Sequence, residues 1–207
     1  MEFKDTIGIF ENAFTKKECK DLIKRHEEAI KEGISWAGSS GEVGKVQSHK
    51  KSTDYNIANQ DNETDQKLTD LVSGKFNDYI MKYLNEYPHN DTYDHSRIIT
   101  GKTSYPLLQM QKYDQGSGHY NSWHCEKEML STSSRMFVFI LYLNDVSEGG
   151  ETGFLFKEDG KNDFFKVKPE VGKLIIHPAS WPYIHKGYMP ESDDKYILTT
   201  WLCYVGE

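Results

Sequence analysis

The chain has 207 residues, which suits one domain or one domain with a helical extension. Hydrophobic residues make up 37% and charged residues 28%, and ten Phe, thirteen Tyr and four Trp are enough to fill a core. A net charge of −7 argues against nucleic acid or an anionic membrane as the main partner, since both need a basic face.

No run of about 18 apolar residues suggests a membrane span. The opening "MEFKDTIGIF" lacks a basic stretch followed by an apolar one, so no signal peptide is expected. Cys19, Cys125 and Cys203 are odd in number and widely spaced, which reads as reduced thiols in a cytoplasmic protein rather than a disulfide frame.

In chain order, "TIGIFENAF" (6–14) begins with a short strand. "TKKECKDLIKRHEEAIKEG" (15–33) reads as a helix. Thr15 and Glu18 have capping-box spacing, Cys19, Leu22, Ile23, His26, Ala29 and Ile30 recur on one face, and Gly33 ends it. Residues 34–63 are rich in Gly, Ser, Asn and Lys and read as a long loop with room for short strands. A second helix covers about 64–86, with Leu68, Leu71, Val72, Phe76, Ile80, Tyr83 and Leu84 on one face and Pro88 as the stop.

From about residue 97 the texture changes. "YPLLQMQKY" (105–113), "RMFVFILYLN" (135–144), "FFKVKP" (164–169), "GKLIIHP" (172–178) and "YILTTWLCYV" (196–205) are short, β-branched or aromatic runs. Turn residues such as Gly149-Gly150 and Asp159-Gly160 separate them. Successive short strands predict a sandwich or barrel, so the chain reads as α+β: a helical part over about 1–95 packed on an all-β part over about 96–207, forming one domain.

The chemistry concentrates in "HYNSWHCEKEM" (119–129). On an extended segment, side chains two apart point to one side, so His124 and Glu126 can share a metal ion. A third ligand must come from elsewhere, and His177 and His185 lie in the β region. Two His and one carboxylate on one face leave open coordination positions, the arrangement of non-haem Fe(II) oxygenases. A bare His-x-Glu pair is also a common polar strand end. Cys125 offers a zinc reading with a thiolate, but between two same-side residues it should point away and behave as a small buried hydrophobe.

Four segments, in order, resemble the prolyl-4-hydroxylase-like branch of the 2-oxoglutarate- and Fe(II)-dependent dioxygenases. They are "YDQGSGHYNSWHCE" (113–126), "RMFVFILYLNDVSEGGETGF" (135–154), "VKPEVGKLIIHP" (167–178) and "HKGYMPESDDKYILTTWL" (185–202). "IGIFENAFTKKECKDLI" (7–23) resembles that branch's N-terminal strand and helix.

The resemblance implies a double-stranded β-helix, or jelly-roll, core in the C-terminal half. It implies His124, Glu126 and His185 as iron ligands, with glutamate where the branch usually has aspartate, and Glu128 as the fallback carboxylate. One extra residue between Tyr120 and His124 is a second departure. Lys195, ten residues after His185, stands where the branch binds the distal carboxylate of 2-oxoglutarate. A buried cation there would need such a partner, whereas an exposed one would pair with Asp193 and Asp194 at the surface.

Tyr113 and Tyr142 match tyrosines lining the same pocket, and Trp201 is expected to pack behind it. The implied activity is hydroxylation of an unactivated C–H bond using O2, with succinate and CO2 released and ascorbate in support. The implied substrate is a peptidyl proline, covered by a segment in the 34–63 loop. A jelly-roll binding domain without turnover, an oxygenase of small molecules and a zinc-dependent hydrolase are the competing readings.

Overall fold

The computed structural model describes residues 1–4, 6–38, 49–58, 60–87, 97–100, 102–155 and 165–205. Pro88, Asp159-Gly160 and the 39–48 part of the expected loop lie outside the described residues.

The N-terminal part carries strands β1 (Glu2–Lys4) and β2 (Ile7–Phe10), helix α1 (Lys16–Glu32), strands β3 (Trp36–Ala37), β4 (Lys50–Lys51) and β5 (Thr53–Asn56), helix α2 (Glu63–Asn85) and a short α3 (Arg97–Thr100). The rest is β6 (Thr103–Ser104), β7 (Gln109–Tyr113), β8 (His119–His124), β9 (Arg135–Tyr142), β10 (Thr152–Leu155), β11 (Phe165–Val167), β12 (Leu174–Pro178), β13 (Ile184–Gly187) and β14 (Lys195–Tyr204). No helix among the described residues is long and apolar enough to cross a membrane.

Both long helices start and stop on local chemistry. Thr15 and Glu18 form the full capping box of α1, and Gly33 ends it in the left-handed region at φ 71°. Asn62 caps α2 by accepting from Asp65 N. These bounds agree with the sequence expectation to within about one residue.

Strands β7 to β14 form two antiparallel sheets in jelly-roll order. One sheet runs β1-β2-β12-β9-β14-β7-β5-β3, with β6 also on β14, and the other runs β11-β10-β13-β8-β4. The N-terminal part is thus less purely helical than expected, because its short strands extend both sheets. β2 pairs with β12, β5 with β7, and β4 with β8.

Period-two alternation divides the core in two. On β9, Val138, Ile140 and Tyr142 face the space between the sheets, while Phe139 and Leu141 face the helices. On β14, Ile197 and Trp201 point inward, and Leu198 and Leu202 pack with Leu22, Val72, Phe76 and Ile80 of the helices. The helices therefore buttress the outer face of the large sheet, and the inner face is left to build a cavity. Gly172 shows how tightly the segment between β2 and α1 seats. At φ 79°, a Cβ there would lie 2.1 Å from Phe14 O.

Candidate active site

A cavity of about 640 Å³ opens between the two sheets. Most of its walls come from inward positions of six strands: Gln109, Gln111 and Tyr113 on β7, Tyr120 and His124 on β8, Ile140 on β9, Thr152 on β10, His185 and Gly187 on β13, and Lys195, Thr199 and Trp201 on β14.

At one side, β8 and β13 place His124 directly opposite His185, with ring centroids 4.5 Å apart. The ladder is irregular here: the next paired residues are Gly187 and Tyr120, so four positions on β8 span two on β13. The extra residue between Tyr120 and His124 lies in this irregularity. Tyr120 stacks on His124 at 4.1 Å.

Strand β8 ends at His124, so Glu126 does not reach the same side as part of an extended strand. A turn brings it there, held by Glu126 N and Lys127 N, which both donate to Ala179 O at 3.0 Å. Glu126 Oε1 then lies 3.4 Å from His124 Nε2 and 3.6 Å from His185 Nε2. Two donors at right angles around one ion, each about 2.1 Å from it, would stand roughly 3 Å apart, so the donors fit a shared metal. These three are the group of His, Cys, Asp or Glu donors that gathers among the described residues.

The far nitrogens fix the near ones. His124 Nδ1 faces Ser122 O at 2.9 Å and His185 Nδ1 faces Tyr183 O at 3.1 Å. A proton on each Nδ1 donates to a carbonyl and leaves the Nε2 lone pair aimed at the ligand space. Burial works to raise the Glu126 carboxyl, but the neighbouring His124 and His185 imidazoles outweigh it and hold the group well below the usual range. Burial also works against charge on His124, where Glu126 outweighs it and holds the imidazole above its ordinary value. Burial pushes His185 down, and His124 adds to the shift.

The other candidate ligands are not gathered. Glu128 Oε1 accepts from Cys125 N at 2.9 Å and serves the turn. Cys125 is only half-buried on the cavity wall, not a buried core thiol as expected, because the turn after β8 leaves it at the surface with Sγ toward Lys127 O. His177 is fully buried, its Nδ1 facing Pro178 O and its ring 4.8 Å from that of His185. Burial pushes it down to about 3.

Lys195 is 2% exposed, so it is not the surface lysine of the competing reading. The Gly149-Gly150 turn, both residues in the left-handed region at φ 72° and 74°, turns the Gly150 carbonyl to accept from Lys195 Nζ at 2.9 Å. The ammonium also sits 5.0 Å from the centroid of the Tyr113 ring. No carboxylate among the described residues pairs with Lys195, and burial pushes it down to about 8. A Cβ on Gly187 would stand 3.7 Å from Nζ, so the glycine keeps the space before the ammonium open. A buried, unpaired cation facing a cavity fits an anionic ligand.

Tyr113 is on the wall, its hydroxyl donating to Gln111 Oε1 at 2.7 Å, and burial holds it well above the usual phenol range. Tyr142 is inward but one layer removed. Its hydroxyl bonds Thr152 Oγ1 at 2.6 Å, so Thr152 rather than Tyr142 reaches the cavity. Trp201 lines the cavity instead of packing behind it. The guanidinium of Arg135 lies 3.7 Å over its ring and Nη1 donates to Glu126 Oε2 at 2.8 Å. No role for Arg135 was read from the sequence. Strict alternation would send it to the helix side with Phe137, but a bulge opposite Leu202 and Cys203 turns it inward.

Known proteins share parts of this sequence and fold. Residues 108–203 match the family model of the 2OG-Fe(II) oxygenase superfamily. The chain is similar to "Prolyl 4-hydroxylase 13" of Arabidopsis thaliana, 31% identical over 115 residues, which cover 48% of this chain and 42% of that protein. It is similar to "Probable prolyl 4-hydroxylase 9" of the same plant, 32% identical over 109 residues, covering 44% and 36%. The match thus spans less than half the length of these curated relatives.

Among solved structures, the fold is shared with a Pseudomonas putida prolyl-4-hydroxylase, at a TM-score of 0.67 and 17% identity, covering 97% of this chain and 94% of that one. It is also shared with a Trichoplax adhaerens prolyl hydroxylase in complex with a hypoxia inducible factor oxygen degradation domain peptide fragment. That match has a TM-score of 0.72 at 13% identity, covering 97% and 84%. Residues 108–203, the jelly-roll half of this chain, are thus similar to the 2OG-Fe(II) oxygenase superfamily.

Proposed function

We propose that the chain, taken as one domain over 1–207, is an Fe(II)- and 2-oxoglutarate-dependent dioxygenase that hydroxylates a prolyl residue of a protein or peptide to 4-hydroxyproline, releasing succinate and CO2. The observation that carries the reading is the pairing, in one cavity, of the His124–Glu126–His185 donor set with the unpaired buried ammonium of Lys195. An Fe(II) ion, when bound, would supply O2 activation and the oxidising power for C–H cleavage.

The chain's own residues do the rest. His124 Nε2, Glu126 Oε1 and His185 Nε2 would hold the ion. Lys195 would pair with the distal carboxylate of 2-oxoglutarate, with Tyr113 beside it on the large sheet and Thr152 on the opposite sheet. Ile140, Ile197 and Trp201 give the cavity an apolar lining that keeps water from the reacting carbon. At the rim, Trp36, Leu107 and Met129 are 44%, 38% and 58% exposed and offer apolar contacts to a peptide. Ascorbate support belongs to the same reading. The described cysteines are all free thiols, which supports a reducing, cytoplasmic setting. Retention of two histidines, a carboxylate and the basic residue argues against a binding domain that has lost turnover.

Lys195→Met tests the reading. Binding of 2-oxoglutarate to the metal-loaded protein should weaken about 30-fold or more, since breaking a buried charge pair costs about 2–5 kcal/mol. The cosubstrate-free protein should become more stable by about 2 kcal/mol: an unpaired charge is removed at the expense of one hydrogen bond.

The pH dependence has a defined sign. The folded value of about 8 lies below the unfolded 10.5, so between these values the unfolded chain binds more protons. The cosubstrate-free protein therefore gains stability as pH rises from about 8 to 10.5, while affinity for 2-oxoglutarate falls as pH passes 8. Calorimetric titration at pH 7 and pH 9 and urea unfolding check both. Undiminished 2-oxoglutarate binding in Lys195→Met would contradict the reading.

A further inference from the structure

We propose that Arg135 is a positioning residue that presents the Glu126 carboxylate to the metal through one oxygen only. The inference rests on the iron-site reading and concerns the second oxygen of its carboxylate ligand.

A glutamate side chain has three rotatable bonds and two equivalent oxygens, so its carboxylate can turn either or both toward a cation. Glu126 is not left that freedom. Oε1 faces the two imidazoles at 3.4 and 3.6 Å, and Oε2 accepts from Arg135 Nη1 at 2.8 Å. The same nitrogen donates to the backbone carbonyl of Glu126 at 3.0 Å, fixing the turn as well as the side chain.

Arg135 is in turn held from two sides. Its guanidinium carbon lies over the Trp201 ring, 3.7 Å from the centroid, and its backbone sits at the start of β9 opposite Cys203, where the bulge aims it inward. Three residues make a chain, from Trp201 on β14 through Arg135 to Glu126.

This has a consequence for coordination. A carboxylate bound through one oxygen takes one position on the ion, and through both it takes two. Two imidazoles and a singly bound carboxylate leave three positions of six, enough for a chelating 2-oxo acid and O2. Engaging Oε2 elsewhere keeps the third of these free.

The test uses Co(II) binding to the metal-free full-length protein, which needs no turnover and whose visible bands report coordination number. Wild type, Arg135→Met, Arg135→Lys, Glu126→Asp and the double variant Glu126→Asp/Arg135→Met are compared, with circular dichroism on each as a check of folding. Arg135→Met should weaken Co(II) binding about 10- to 100-fold and alter the band intensities. Arg135→Lys, which keeps a cation near Oε2, should recover part of the affinity and also serves if the methionine variant fails to fold.

In the aspartate background the carboxylate falls one methylene short of Arg135, so adding Arg135→Met should change affinity by less than about threefold. Wild-type affinity and bands in Arg135→Met, or an equal loss in both backgrounds, would overturn the proposal while leaving the metal site standing. Co(II) binding that Glu126→Ala, measured alongside, leaves unchanged would overturn the metal reading and this inference with it.

Discussion

Glu126→Ala is expected to lower Fe(II) or Co(II) affinity by at least about 100-fold and to reduce succinate formation to background. Glu126 is the only anion of the three gathered donors, and its carboxyl is held ionised despite burial by the two imidazoles. Without it, two neutral imidazoles remain, and the positive charge of the metal faces a half-apolar cavity with nothing to offset it. Arg135 loses the partner of its side-chain ion pair, keeping its backbone contact and its stack on Trp201. Calorimetric titration of the metal-free protein measures the loss. Affinity within tenfold of wild type would mean that Glu128 leaves its bond to Cys125 N and takes over, which the geometry opposes.

The largest effect on stability is expected at Asp65. This carboxylate is wholly buried and collects bonds from three elements. Arg25 of α1 donates from Nε at 2.9 Å and from Nη2 at 3.0 Å, Tyr55 of β5 donates its hydroxyl at 2.5 Å, and Asn62 donates its side-chain amide. Arg25 also reaches Tyr55 OH at 2.7 Å. Burial works to raise the Asp65 carboxyl, but Arg25, Tyr55 and Asn62 outweigh it and hold it below the usual range.

Asp65→Ala leaves a guanidinium that is 6% exposed with only Glu32 at 3.1 Å and Tyr55 OH as side-chain partners, and should cost about 3 kcal/mol in urea unfolding. The double variant Arg25→Met/Asp65→Leu should cost markedly less than either single change, because neither charge is left alone. Strict additivity would show that the pair is not coupled. The network matters to the site as well. It ties both helices to β5, which pairs with β7, whose Gln109, Gln111 and Tyr113 line the cavity.

Local chemistry was legible in the sequence where the signal is local. Thr15, Glu18 and Gly33 announce the ends of α1, and the alternation of β9 and β14 separates the residues that face the cavity from those that face the helices. His124 and His185 meet because their strands pair. What was not legible depends on partners distant in sequence. β3 and β4 are two residues long and exist as strands only through pairing with β5 and β8. Bulges break the period that sequence reading relies on. One lets Arg135 enter the cavity, and the turn after β8 leaves Cys125 half-buried. Tyr142 has the inward phase of a cavity residue, but Thr152 on the opposite sheet takes its hydroxyl first.

The most direct measurement is an anaerobic titration of the Fe(II)-loaded protein with 2-oxoglutarate, following the weak visible charge-transfer band of a chelated 2-oxo acid. The account predicts a saturable band in wild type, a band displaced to much higher 2-oxoglutarate in Lys195→Met, and none in Glu126→Ala. A folded wild-type protein that gives no band with both Fe(II) and 2-oxoglutarate present would contradict it.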